Sequence, residues 1–181
     1  MSVRQLTQMA MLAAISVVIV FFIRFPIIPA APFLEYTPAE VPIMMAGFLY
    51  GPIAGLVLTV VYAVIQGVTV SAHSGPIGII MNILSTGSFV LVAGLIYRRG
   101  RSTKRAIIAI LAGIVATCVS MIGFNLIFVP IFMGVPREVV IGMVLPVFLP
   151  FNIIRAGVNS VIAFVAWRAV GSLLERRAAE G

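Results

Sequence analysis

The sequence predicts an all-α integral membrane protein, a single domain over residues 1–181 built as a bundle of six transmembrane helices with both termini in the cytoplasm. Hydrophobic residues make up 62% of the chain and charged residues only 9%, whereas soluble domains carry roughly 25% charged residues. Because so few polar residues cannot cover a globule, we expect the apolar surplus to face lipid. The apolar residues also fall into long runs, and about 20 such residues cross a bilayer as a helix.

Charged residues and Gly-Pro pairs divide the chain into the expected helices. The first helix fills the apolar interval between Arg4 and Arg24, and the stretch from Val41 to Tyr97, which has no Asp, Glu, Lys or Arg, is too long for one crossing. We divide it at Gly51-Pro52 and Gly75-Pro76, because proline removes a helix donor and Gly-Pro favours a turn. Two further apolar runs follow. The six expected helices cover about 5–24, 39–50, 53–71, 77–97, 105–133 and 146–175.

The second expected helix has only about a dozen residues, so we expect it to be tilted, partial or shielded by its neighbours. Gly47, Gly51 and Gly55 follow one another at intervals of four where the second and third helices meet. Small residues at this spacing let helix backbones approach closely in lipid. Tight packing within the bundle is the favoured interpretation, and a dimer face is the alternative.

Basic residues set the expected orientation. They are concentrated at the two ends of the chain and in one short loop that contains Arg98, Arg99, Arg101, Lys104 and Arg105. Short loops rich in Lys and Arg stay on the cytoplasmic side, and six crossings place all three clusters there. The stretches 25–38, 69–76 and 134–145 are then external. A nucleic-acid partner is not expected, because no basic face with interleaved aromatic residues could follow phosphates.

The residues needed for enzymatic chemistry are missing from the sequence. It contains no Gly-x4-Gly-Lys-Ser/Thr motif, which argues against an ATPase activity of its own. With one histidine, His73, and one cysteine, Cys118, the chain offers neither a His-rich metal site nor a Cys–His pair. No metal or cofactor is expected, and we do not expect an enzyme.

Acidic residues are also expected to be absent from the interior of the bundle. We place all five in loops, at helix ends or in the tail: Glu35, Glu40, Glu138, Glu175 and Glu180. Proton- or sodium-coupled carriers usually keep an ionisable residue near the membrane midplane. Energy for uphill transport would therefore have to come from a partner.

The polar residues within the expected helices form a pattern. Asn82, Asn125, Asn152 and Asn159 lie in the fourth, fifth and sixth helices, and Arg155 is the one charge well inside a run. At 100° per residue, the three polar residues of the sixth helix share a face. Asparagine can both donate and accept, which suits a planar ligand with amide or imide groups. Hydrogen bonds between helices, worth about 0.6 kcal/mol each, are the alternative for any single asparagine.

The first external loop, 25–38, contains four prolines that stiffen it. Within it, Phe33, Leu34, Glu35 and Tyr36 place two aromatic rings beside a carboxylate. A stiff apolar loop of this kind could lie over a binding pocket as a lid and stack on an aromatic ligand. A passive linker is the alternative.

Several segments together resemble a known family, the substrate-binding S components of energy-coupling-factor (ECF) vitamin transporters, and most closely its riboflavin-specific branch. The resemblance runs in order along nearly the whole chain. The matching segments are Met9 to Ser16, Phe33 to Pro42, Ala46 to Gly55, Ser74 to Gly78 with Met81-Asn82, Val129 to Glu138, and Pro150 to Arg155.

The resemblance implies a multi-pass protein of the cell membrane that binds a vitamin, here riboflavin, as transported substrate near the external face. It further implies a complex with a transmembrane coupling subunit and two cytosolic ATPase subunits. Ala10 and Ala14 match an Ala-x-x-x-Ala motif that packs on the coupling subunit. The expected substrate contacts are Phe33, Leu34, Glu35, Tyr36, Asn82, Asn125, Asn152, Arg155 and Asn159.

Two departures from the riboflavin pattern bear on the substrate. The family loop Leu-Lys-Tyr-Asp-Pro-Ser-Asp corresponds here to the segment from Leu34 to Glu40, which has Glu35 in place of lysine. Arg155 also stands where the family has lysine, and the two cations differ in how they hold a partner. An S component for another heterocyclic vitamin or precursor is therefore an alternative, and a structural membrane protein without transport function is another.

Overall fold

The computed structural model describes residues 3–29, 31–100 and 102–179, so Arg101 of the basic loop and Glu180 of the tail lie outside the described residues. The described residues are almost entirely helical. Their α-helices are α1 Val3–Phe22, α2 Val41–Tyr50, α3 Pro52–Val68, α4 Gly75–Arg98, α5 Thr103–Met133, α6 Arg137–Met143 and α7 Leu149–Ala179.

Four helical segments of the described chain are long and apolar enough to cross a membrane. They are Gln5–Phe22, Ala72–Arg98, Thr103–Met133 and Arg137–Ala169. Helix α3 is apolar but has only 17 residues, and α2 has 10. Length and composition thus agree with an all-α membrane protein.

Helix α2 occupies the centre of the bundle. It packs against α1, α3, α4 and α7, and its residues from Val41 to Phe48 are all buried. An internal helix has no lipid-facing side and does not need the length of a complete crossing. The expectation that its neighbours shield the short second helix is confirmed.

The glycines between α2 and α3 serve packing within the chain. Gly51 separates the two helices with a φ of 98°, a conformation that residues with a Cβ rarely adopt. At Gly55, an added Cβ would lie 3.1 Å from the Cα of Gly47. The two helices therefore approach each other closely through these glycines, in agreement with packing inside the bundle.

The stretch 134–145, which we expected to be external and to precede the last helix, is largely helical. The chain forms α6 there and continues through a π-helical turn, Val144–Phe148, directly into α7. We expected the last helix to begin near Pro146, because proline usually interrupts a helix. The wider π-helical turn contains Pro146, and a local π distortion is one way in which a helix passes a residue that breaks its regular ladder.

The first loop is folded rather than extended. Its two short strands, β1 Phe25–Pro26 and β2 Glu35–Tyr36, pair in antiparallel orientation. A 3₁₀ turn, Pro38–Glu40, then leads into α2, and Thr37 Oγ1 caps this turn by accepting from the Ala39 amide at 3.2 Å. Apolar loop residues pack against the end of α5, against α6 and against the π-helical turn before α7. We call this side of the molecule the loop end of the bundle.

Candidate ligand-binding site

A cavity of about 140 Å³ lies at the loop end, between the first loop and helices α3, α4, α5 and α7. Its walls are mainly apolar and include aromatic rings from the loop, α5 and α7: Phe33, Phe128, Phe132 and Phe151. A few polar side chains interrupt these walls. Apolar walls with a small number of placed polar groups are typical of sites for small organic molecules.

Seven of the nine side chains predicted to contact substrate line this cavity: Phe33, Leu34, Glu35, Asn82, Asn125, Asn152 and Arg155. Helix α3 also contributes Gln66 and Gly67, which the sequence analysis did not select because no charge or asparagine marks that helix. Tyr36 and Asn159 are not part of the lining. Contact between these residues and a substrate remains a prediction.

Asn159 holds the first loop on α7. Its side chain is fully buried, its Nδ2 donates to the Thr37 carbonyl at 3.1 Å and to Glu40 Oε2 at 3.0 Å, and its Oδ1 accepts from the Tyr36 hydroxyl at 3.0 Å. Burial raises the pKa of Tyr36, and the Glu40 carboxylate raises it further, so this phenol stays protonated and donates. All of these contacts anchor the segment 36–40.

The other three asparagines differ in how much hydrogen-bonding capacity they leave for a ligand. Asn82 donates to Gln66 Oε1, and its Oδ1 accepts from Arg155 Nη2 at 3.5 Å. Asn152 donates to the Phe148 carbonyl at 2.7 Å, while its buried Oδ1 has no partner in the described chain. The side chain of Asn125 forms no hydrogen bond with another described residue, although Asn125 is only 2% exposed. Asn125 and Asn152 therefore have unused polar atoms beside the cavity.

The interior contains a buried ion pair that the sequence analysis missed. Arg155 Nη2 donates to Glu40 Oε1, which also accepts from Thr86 Oγ1 at 2.7 Å. Glu40 is 2% exposed, so the expectation that all five acids lie away from the bundle interior is wrong. The 3₁₀ turn at the start of α2 carries this carboxylate inside. Because a buried guanidinium needs compensation, Arg155 itself was the signal that one of the acids lies inside the bundle.

A second ion pair lies at the rim of the cavity. Arg24, just beyond α1, lies 3.3 Å from Glu35 Oε2 and also donates to the Val70 carbonyl after α3. Roughly a third or less of each charged side chain is exposed, 32% for Arg24 and 26% for Glu35. The pair joins three segments at the loop end, and it gives Glu35 a partner of opposite charge.

The two alanines of the first helix lie away from this site. Ala10 and Ala14 are exposed on α1, near the large apolar side chains of Met11 and Ile15, which are also exposed. This surface belongs to a segment that is long and apolar enough to cross a membrane. It is open to lipid or to another membrane protein.

Comparison with known families decides the identity of the chain. Residues 4–166 match the family described as ECF transporter, substrate-specific component. The chain belongs to this S-component family. Membership makes it a membrane protein of a transport system, and it favours the transport interpretation over a purely structural role.

Individual relatives agree with this S-component assignment. The riboflavin transporter RibU of Staphylococcus aureus is 32% identical over 179 residues, which cover 96% of this chain and 93% of the relative. The riboflavin transporter FmnP of Bacillus subtilis is 25% identical and covers 90% and 89% of the two chains. A solved S component of a bacterial ECF transporter superposes with a TM-score of 0.81 at 29% identity, over 94% of this chain and 97% of that one.

Proposed function

We propose that this S component binds riboflavin in the cavity at the loop end and passes it inward when it is joined to a transmembrane coupling subunit and two cytosolic ATPase subunits. The relatives named as riboflavin transporters match almost the whole chain, which supports this substrate. The absence of a phosphate-binding loop from the sequence fits a subunit that depends on partners for energy.

The chemistry of the cavity supports a flavin. The flavin ring system is flat, with an apolar aromatic part and one edge that carries imide and carbonyl groups. Phe33, Phe132 and Phe151 offer surfaces for the ring system. Asparagine amides on α5 and α7 can both donate to and accept from the polar edge.

One observation carries the proposal. The buried atoms Asn152 Oδ1 and Arg155 Nε have no hydrogen-bond partner in the described residues, and both residues line the cavity. Buried polar atoms are nearly always hydrogen-bonded. A bound molecule could give both atoms a partner if it offered a donor to the amide oxygen and an acceptor to the guanidinium. The imide edge of riboflavin offers these two groups side by side.

The proposed direction of transport requires a defined orientation. In our proposal six segments lie across the membrane, with α2 as the internal one, and both termini are cytoplasmic. The junction between α4 and α5 is basic: Arg98 ends α4, Arg99 follows it, and Lys104 lies in the first turn of α5, and short basic junctions of this kind stay on the cytoplasmic side. The loop end of the bundle then faces outward, where the cavity can receive riboflavin.

Flavin fluorescence tests the substrate directly. We expect the purified protein to quench riboflavin fluorescence with a stoichiometry of about one, because the ring system enters an aromatic cavity. Thiamine and biotin, added in excess, should leave the bound flavin in place. Tight binding of another heterocyclic vitamin with no binding of riboflavin would contradict the proposal and support the alternative substrate class.

The rim pair should slow the release of riboflavin. Replacing Arg24 with Gln removes one contact that holds the first loop, and we expect dissociation to accelerate by about 2- to 5-fold, since partly exposed ion pairs are worth up to about 1 kcal/mol. Stopped-flow fluorescence measures this rate. High salt should accelerate release from the wild type and have less effect on the variant.

The exchange of the two charges provides the control. In Arg24→Glu/Glu35→Arg the ion pair can form again, whereas the contact of Arg24 with the Val70 carbonyl cannot. We expect the double variant to recover part of the slow release. An unchanged dissociation rate in Arg24→Gln would show that this pair does not hold the loop closed.

A further inference from the structure

The charges around the cavity compensate each other. Among the described residues that line it, two are charged, Glu35 and Arg155. Each is paired with an opposite charge outside the lining, Glu35 with Arg24 and Arg155 with Glu40. The cavity therefore presents polar groups without an uncompensated cation from these side chains.

Glu40 compensates Arg155 through a fixed arrangement. Its Oε1 accepts from Arg155 and from Thr86 Oγ1, and its Oε2 accepts from Asn159 Nδ2 at 3.0 Å. With three donors and 2% exposure, the carboxylate is held in place. It does not line the cavity, so it acts on a ligand through Arg155.

This arrangement decides what the guanidinium can bind. An unpaired arginine inside an apolar cavity binds phosphate and other anions strongly, because the charges are poorly screened there. With Glu40 in contact, a ligand anion has to compete for the same guanidinium and lies near a fixed carboxylate. Glu35 adds a second carboxylate at the rim. Repulsion between an anionic ligand and these two carboxylates opposes its binding.

We propose that Glu40 is a specificity-determining residue that makes the cavity select uncharged ligands over their phosphate esters. The inference rests on the proposed binding of riboflavin in this cavity and concerns the charge of the ligand. The flavin itself is neutral, whereas riboflavin 5′-phosphate carries the same ring system with an added anionic group. Comparison of these two molecules therefore isolates the effect of charge.

The test measures both affinities by fluorescence quenching in the wild type and in Glu40→Gln. We expect the wild type to bind riboflavin at least about tenfold more tightly than its phosphate ester, as like-charge repulsion implies. Glu40→Gln keeps the shape of the side chain and leaves the charge of Arg155 uncompensated. In this variant the ratio of the affinity for riboflavin to the affinity for its phosphate ester should fall by at least about fivefold, because the guanidinium becomes available to the phosphate.

Two controls separate charge from damage to the fold. Glu40→Asp retains the carboxylate and should retain the selectivity. In Glu40→Gln/Arg155→Gln both charges are removed. The cavity then contains no uncompensated guanidinium that could attract the phosphate, so the preference for riboflavin should persist in this double variant. If Glu40→Gln does not fold, this double variant tests the same premise, and loss of its selectivity would contradict charge compensation as the cause.

The outcomes distinguish this inference from the proposed function. Failure of both flavins to bind the folded wild type would overturn the proposed function. Equal binding of the two flavins by the wild type would overturn the charge inference alone. The phosphate would then be bound by another group, for which the N-terminus of α4 is the candidate, because Ser74, Ile77 and Gly78 line the cavity there. An unchanged affinity ratio in Glu40→Gln would also overturn the role of Glu40.

Discussion

Replacement of Asn125 with alanine is expected to weaken riboflavin binding by about 10- to 100-fold. Asn125 lines the cavity and is nearly inaccessible to solvent, and its side chain makes no hydrogen bond to another described residue. Its amide is therefore available to a ligand. Loss of one partner from a buried hydrogen bond costs about 1–3 kcal/mol, and about 1.4 kcal/mol corresponds to a tenfold change in affinity. Equilibrium quenching of flavin fluorescence measures the change.

Ser120→Ala on the same helix is the matched control. Ser120 is bonded to Ser88 Oγ at 3.1 Å and to the backbone of α5, and it does not line the cavity. We expect this variant to bind riboflavin with nearly unchanged affinity. If Asn125→Ala also bound normally while remaining folded, the amide would not contact the substrate, and riboflavin would have to lie elsewhere in the cavity.

Replacement of Ala14 with tryptophan is expected to abolish riboflavin uptake and to leave riboflavin binding intact. Ala14 is exposed on α1, and small residues on a membrane helix permit close contact with a partner helix. We propose that this surface packs on the coupling subunit, so a tryptophan ring here would separate the two without entering the cavity. Uptake by cells that express the complete transporter and flavin binding by the purified subunit are measured side by side. Ala10→Trp should have the same effect.

Ile15→Trp is the control for this surface. Ile15 is 46% exposed but lies about 100° around the helix from Ala14 and about 140° from Ala10, and it already has a large side chain. Uptake should survive in this variant. Normal uptake in both Ala10→Trp and Ala14→Trp would show that the coupling subunit binds elsewhere, whereas loss of binding together with uptake would indicate damage to the fold.

The sequence was informative about the helices because their limits depend on local chemistry. Charged residues interrupt the apolar runs, and the conformation of Gly51 separates α2 from α3 where the Gly-Pro rule predicted a break. The same rule failed at Pro146, where a π-helical turn contains the proline. Proline raises the cost of a continuous helix, but the packing of Val147 and Phe148 in the loop-end core is a tertiary effect that a local rule does not include.

The candidate site was less predictable, because its arrangement depends on distant contacts. Helical periodicity correctly placed Arg155 and Asn159 on one face, but it could not show that Asn159 would bind the segment 36–40 while Asn125 would remain available. Glu40 is 115 residues from Arg155 in the chain. The need of a buried cation for a counter-ion was readable from the sequence, whereas the choice among the acids required the path of the first loop.

The central position of α2 has a consequence for biogenesis. A segment of 10 residues is shorter than the roughly 20 needed for independent insertion as a spanning helix, so in the proposed six-segment arrangement α2 has to enter the bilayer together with a neighbour. Glu40, directly before α2, is paired with Arg155 on α7, which is translated 115 residues later. Assembly of the core therefore concludes only after translation of α7, and a nascent chain that ends before it carries an uncompensated carboxylate.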